Sequence, residues 1–379
     1  MPAGGSATSS GAVPAAAAAA AAGRAVALNG EPARRGASTS AAGGAGAGSA
    51  PRLRRRTWGG PAGNVAAAAL RALRRRWDWT VFGVLCVFFY LYVVSVTCVI
   101  IPWLSVSVPG MSNLAVLSGT AALALWCFCC CVLFDPGRVP PGWQPDAEGN
   151  ARLQEVKRKD GGPRFCKKCQ AYKPPRTHHC RVCNRCITRM DHHCPWTSNC
   201  VGHANYRPFF LLLIYGTAAL WHAAGLLVAH AWHAAHALST DRVLRAGPAA
   251  RVAAHGSAVL VWHVLIEGLA LCLALPAAVG MSSLLSFHVR MVLTNRTTIE
   301  WREGVTAQVN APSFGAPPPR SQHPYDIGIY ANLQQILGDG PEDWFWPPLR
   351  PAPGGTSFPT VFDADAAAAN FGLGPSFKL

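Results

Sequence analysis

Seven cysteines lie between Cys166 and Cys200, interleaved with His178, His179, His192 and His193. They run Cys166-x2-Cys169-x9-His179-Cys180-x2-Cys183-x2-Cys186, then His193-Cys194 and Cys200. Thiols and imidazoles mixed at short spacing point to metal ligands rather than disulfides. Structural zinc takes four such ligands, so two sites need eight. If one cysteine is withheld, six remain, and two histidines complete two Cys3His sets. The segment has little else to fold around. Between 164 and 189 its apolar residues other than cysteine are Phe165, Ala171, Tyr172, Val182 and Ile187. Metal binding is therefore expected to supply the folding free energy.

The withheld cysteine is expected to be Cys194, which follows Asp191-His192-His193. An acid, an imidazole and a thiol together make a thiolate near neutral pH. One histidine takes the thiol proton and the carboxylate orients that ring. The other is free to bind metal. Cys194 as one more plain ligand is the competing reading. A nucleophilic thiol beside a membrane suggests acyl transfer, since exchange between two thioesters is nearly isoenergetic and needs no ATP. The rival functions are a non-catalytic membrane-anchored zinc adaptor and a transporter or channel subunit. Few polar residues recur within the apolar blocks, which disfavours transport.

The elements that must position these residues are membrane helices. Half of the 379 residues are apolar and only 14% are charged, against about 25% for a soluble domain. Four apolar blocks, 81–101, 113–134, 208–231 and 257–287, reach the roughly 20 residues a helix needs to span a bilayer. The fold class is thus an all-α polytopic membrane protein with the Cys-rich domain between its second and third helices. The net charge of +16 is read as basic loops facing anionic lipid, not as a nucleic-acid surface. Arg74, Arg75 and Arg76 precede the first block and Arg and Lys crowd the segment 151–207, whereas 102–112 has none. Both termini and the Cys-rich segment are therefore expected in the cytosol.

The expected organisation is a disordered tail over 1–76, two helices in 77–134, the zinc-binding domain in 135–207 and two helices in 208–287. A cytosolic region then covers 288–350, with a short docking helix near 325–338, and a disordered tail covers 351–379.

Asp191-His192-His193-Cys194-Pro195-Trp196 resembles the signature of the DHHC protein S-acyltransferases, or palmitoyltransferases. Asp135-Pro136-Gly137 is similar to that family's DPG motif, Thr297-Thr298-Ile299-Glu300 to its TTxE motif, and the surroundings of Asn332 to its C-terminal PaCCT motif. The resemblance spans roughly residues 79–340. It implies one zinc on Cys166, Cys169, His179 and Cys186, and another on Cys180, Cys183, His193 and Cys200. It implies Asp191 and His192 activating Cys194, which takes an acyl group from acyl-CoA and passes it to membrane-proximal cysteines of protein substrates. Trp196 and Phe209 would line the mouth of the acyl cavity. An endomembrane location, Golgi or ER before vacuole or plasma membrane, is expected. The chain departs from the family at Thr197-Ser198, where an apolar–Asn pair is usual, and at His323-Pro324, where Asn-Pro is common. Ala219 stands where some members carry a bulky residue at the cavity's far end, which implies room for palmitoyl and longer chains.

Two membrane features call for partners. Glu267 lies within the fourth block, where a charge is costly, and His222, at a similar counted depth in the third, is its expected partner. His230, His233 and His236 are read as a polar rim at a helix end, with metal binding the less favoured reading.

Overall fold

The computed structural model describes residues 78–145, 154–155, 163–239, 257–303, 307–308 and 323–361. The expected tail 1–76, and residues 362–379 of the expected tail 351–379, lie outside the described residues. Helix α1 (Trp79–Val94) starts at Asp78, whose carboxylate accepts hydrogen bonds from the backbone of Thr80 and Val81, satisfying N–H groups that a helix start leaves unpaired. The helix continues as a π-helical stretch, Ser95–Leu104, that contains Pro102. After a tight turn α2 (Val108–Leu133) returns. Helices α3 (Tyr206–Ser239) and α4 (Ser257–Leu293) follow the Cys-rich segment. All four are long and apolar enough to cross a membrane. Many apolar side chains on them point outward, among them Phe82, Phe89, Val116 and Leu269. That is the expected surface of helices solvated by lipid.

Between α2 and α3 the chain forms short antiparallel hairpins. Strand β1 (Gln154–Glu155) pairs with β8 (Ala307–Gln308). Strand β2 (Phe165–Cys166) pairs with β3 (Ala171–Tyr172), β4 (His178–Cys180) with β5 (Arg185–Ile187), and β6 (His192–Cys194) with β7 (Asn199–Val201). Polar bonds tie this segment to the bundle. The Asn199 side-chain amide donates to the carbonyls of Cys131 and Phe134, each at 2.9 Å, closing the C-terminus of α2 where helical carbonyls lack partners. Asp135 accepts two bonds from Arg185 at 2.9 and 3.0 Å. Gly137 has φ +117° and a Cβ there would meet Thr188 Oγ1 at 2.2 Å, so only glycine fits this crossing.

After α4, α5 (Thr298–Glu303) and α6 (Ile329–Leu337) fold back onto the segment. Asn332 is fully buried, donates to Leu293 O at 2.7 Å and accepts from Ile327 N at 3.1 Å. Within 351–361, part of the tail expected to be disordered, several contacts reach back along the chain. Ala352 N donates to Ala204 O, His203 Nε2 meets Pro353 O, and Phe358 lies over the Arg176 guanidinium at 5.1 Å. These contacts join residues some 150 positions apart, which composition does not reveal.

The pairing of Glu267 with His222 is corrected. His222 Nε2 meets Asn113 Oδ1 at 2.8 Å, and Glu267 takes His230 Nδ1 at 2.9 Å. The third block was read to end at 231, but α3 runs eight residues further, to Ser239. The partner moves by the same eight residues, two turns or about 12 Å.

Arg176 is fully buried. Its Nε and Nη2 donate to Glu300 Oε1 and Oε2 at 2.7 and 2.8 Å, and Nη1 and Nη2 also donate to Asn295 Oδ1 and O. Burial pushes the Glu300 carboxyl up, but the Arg176 charge and hydrogen bonds outweigh it and hold the pKa near 2 against the usual 4.5. Glu300→Gln leaves a buried guanidinium uncompensated and is expected to cost about 3–5 kcal/mol. Because the folded pKa is depressed, the stabilisation is complete above pH 4.5 and is lost as pH falls through about 2. Thermal melts should show a constant gap between wild type and variant at pH 5–7 and a narrower one at pH 3.

Candidate functional site

Strand geometry sorts the histidines and cysteines. Side chains alternate along a strand, so His192 and Cys194 share one face of β6 while His193 takes the other. The register sets His193 opposite Cys200 and His179 opposite Cys186. The Cys-x2-Cys turns complete two groups. Cys166, Cys169 and Cys186 stand 3.6, 3.2 and 4.0 Å from His179 Nδ1. Cys180, Cys183 and Cys200 stand 3.8, 3.5 and 3.5 Å from His193 Nδ1. A sulfur and a nitrogen bound to one tetrahedral zinc stand about 3.6 Å apart, given Zn–S near 2.3 Å and Zn–N near 2.05 Å. Both groups could hold a metal ion, and their edges are those of a zinc tetrahedron. The ligand sets implied by the family resemblance are the sets brought together here.

Cys194 belongs to neither group. Its side chain is buried with Phe209, Leu213 and Cys131, on the side of β6 that faces α3. Asp191 is fully buried and accepts from His192 Nδ1 at 2.7 Å, leaving Nε2 as the nitrogen that serves the Cys194 sulfur. Thr298, the second threonine of the TTxE stretch, fixes the carboxylate from behind through N at 2.9 Å and Oγ1 at 2.7 Å. Burial disfavours charge on all three groups, and the pairing overcomes it. The Asp191 carboxyl is held below its usual range by its bonds to His192 and Thr298. Burial would lower the His192 pKa, but Asp191 and the neighbouring sulfur raise it to about 9. Burial would raise the Cys194 thiol, and its hydrogen bond to His192 brings it below the ordinary value. The arrangement can therefore hold a thiolate beside an imidazolium at neutral pH.

Phe209 packs its ring 5.2 Å from His192, edge to face. Trp196 stands apart, 65% exposed, at the level where α1 begins. The loop after the nucleophile is pinned to that helix. Thr80 Oγ1 donates to Pro195 O at 2.8 Å and Ser198 Oγ donates to Asp78 Oδ2 at 2.5 Å. Ser198 thus replaces the usual asparagine with a bond of its own. His323, the other departure, reaches Asn295 O at 3.1 Å.

Sequence reasoning missed His288 on α4. It is buried, pairs with Tyr206 Oη at 3.0 Å through Nδ1, and its ring lies 4.9 Å from that of Phe209. One of its nitrogens, an Asp191 oxygen and a His192 nitrogen all lie within 4.8 Å of one another. Its place between Phe287 and the TTxE stretch was the available signal, but nothing local distinguishes it from a packed membrane histidine.

Thr298→Val removes one hydrogen bond to a buried carboxylate and is expected to cost about 1.5–3 kcal/mol. Alkylation of Cys194 at pH 7, followed by mass spectrometry of its peptide, should slow as Asp191 loses its hold on His192. An unchanged rate would show that Thr298 has no part in orienting the pair.

The family description DHHC palmitoyltransferase matches residues 159–305. Probable protein S-acyltransferase 16 of Arabidopsis thaliana is 38% identical over 277 residues, 73% of this chain and 90% of that protein. Probable protein S-acyltransferase 15 of the same plant is 34% identical, over 73% of this chain and 99% of that protein. Probable palmitoyltransferase ZDHHC24 of Homo sapiens is 35% identical, over 54% of this chain and 67% of its own length.

Proposed function

This chain belongs to the DHHC palmitoyltransferases, membrane acyltransferase enzymes, and we propose that it moves a long-chain acyl group from acyl-CoA to protein cysteines through Cys194. The observation that carries the reading is the division of labour along β6: His193 turns to a metal cluster while His192 and Cys194 turn together toward α3 and the apolar bundle.

The reaction runs in two balanced transfers. The Cys194 thiolate attacks the thioester carbonyl, the carbonyl–sulfur bond of acyl-CoA breaks, and the CoA sulfur leaves with the proton held on His192. A substrate thiol then gives its proton to His192 and attacks the acyl-Cys194 carbonyl, and Cys194 leaves as a thiolate facing the imidazolium. Asp191 keeps the ring in the tautomer that presents Nε2 to sulfur throughout. Phe209 flanks the sulfur, and Leu213, Met281 and Leu285 of the same cluster offer apolar surface to the chain, with the exposed Trp196 at the outer mouth.

Zinc, bound by Cys166, Cys169, His179 and Cys186 and by Cys180, Cys183, His193 and Cys200, would supply rigidity to the hairpins and no chemistry. Basic residues of the segment, Lys167 and Lys168 among them, are exposed and suit the phosphates of CoA. The positive charges flanking α1 and filling 151–207 favour a cytosolic Cys-rich domain and cytosolic termini in an endomembrane.

Incubation of the detergent-purified protein with labelled palmitoyl-CoA should give hydroxylamine-sensitive label on the Cys194 peptide, with palmitoyl and longer chains accepted, as the family resemblance implies for an alanine at position 219. Absence of label from metal-replete protein would leave the adaptor reading in its place.

A further inference from the structure

At the end of the bundle away from Cys194, α3 and α4 bring a carboxylate and two imidazoles together. Glu267 Oε2 accepts from His230 Nδ1 at 2.9 Å. Its other oxygen, Oε1, is shielded from solvent and has no hydrogen-bond partner. His263 Nδ1, one turn away on the same face of α4, stands 4.0 Å from that oxygen. Trp103 walls the cluster, its ring 5.5 Å from His230 and 5.4 Å from His233. A groove of about 740 Å³, lined by Trp103, Ala229, Trp232, His233 and His236 among others, adjoins it.

We propose that Glu267, His230 and His263 form a binding site for a divalent transition cation such as Zn²⁺, separate from the two cysteine clusters. Two imidazoles and one carboxylate are a recurrent zinc ligand set. The 4.0 Å gap is too long for a hydrogen bond. It exceeds the roughly 3.4 Å between two ligand atoms on a tetrahedral zinc, so the half-exposed His263 side chain must turn toward Glu267 and His230 to complete the set. A carboxylate held among membrane helices needs more compensation than one neutral donor supplies, and a bound cation provides it through the idle Oε1. His233 and His236, along the groove, give the ion an entry path of imidazoles. The ligand spacing, i to i+4 on α4 facing α3, keeps the donors on packed helices rather than on loops.

The test loads full-length protein with Zn²⁺, removes the excess by gel filtration and measures metal per chain. Wild type is expected to hold one zinc more than its two cysteine clusters account for. Glu267→Gln and His263→Ala should each lose that ion, keep the others and form the acyl-enzyme normally. Wild type holding only the cluster metals, or variants keeping the extra one, would overturn the site. Should a variant fail to fold, Co²⁺ added to wild type that carries only its two cluster zinc ions decides the matter. Bound cobalt with d–d bands and no sulfur-to-metal charge-transfer band supports the site, whereas no binding, or a thiolate spectrum, refutes it.

Discussion

A Cys194→Ala chain will form no acyl-enzyme and will lose transfer by roughly 10⁴-fold or more, the scale on which enzymes suffer when a covalent nucleophile is removed. It will keep the metal content and nearly all the stability of the wild type. The reason lies in the register of β6 and β7. Cys194 is paired with Asn199, and His193 one step earlier is paired with Cys200, so the nucleophile and the metal ligand point to opposite faces. Deleting one sulfur beside Phe209 and Leu213 leaves a small apolar void costing about 1 kcal/mol. Metal analysis and a thermal melt run beside the labelling assay check the claim. A Cys194→Ala protein short of one metal would make this sulfur a ligand and the proposed chemistry untenable.

Cys200→Ala will do the reverse, losing metal and fold together. Cys200 is fully buried and its sulfur lies 3.5 Å from both Cys183 Sγ and His193 Nδ1. Zinc binding in small Cys/His domains is worth about 10–16 kcal/mol and is in effect the folding free energy. The hairpins here have strands of two or three residues and, apart from the clustered cysteines, only a small apolar cluster around Ile187 and Met190. Cys186→Ala should behave alike through the His179 cluster. In size-exclusion chromatography both variants should leave the monodisperse peak, and a strong chelator should do the same to wild type. A monodisperse Cys200→Ala chain with undiminished metal would break the ligand assignment.

The two experiments also separate two kinds of information. The candidate metal-binding segment was legible in the sequence because Cys-x2-Cys and His-Cys spacings close over a few residues, whereas the pairing of its ligands came from the family resemblance. The four membrane helices were legible because a bilayer imposes its length on any chain that crosses it. Their ends were not. The π-helical continuation through Pro102 and the eight extra residues of α3 carry no sharp hydropathy boundary, and the wrong partner for Glu267 followed from that.

By itself, then, the sequence pointed to the chemistry: a set of sulfurs and imidazoles suited to metal, one more cysteine than two such sites need, and an acid and an imidazole next to Cys194. Only the tertiary structure decided what holds that acid in place. Thr298 reaches Asp191 across 107 positions, Glu300 reaches Arg176 across 124, and His288 arrives from the far end of α4. The stretch 351–361 settles over Arg176 in the same way. Such contacts join residues with no local periodicity between them. They exist because a buried charge must find a partner wherever the folded chain puts one.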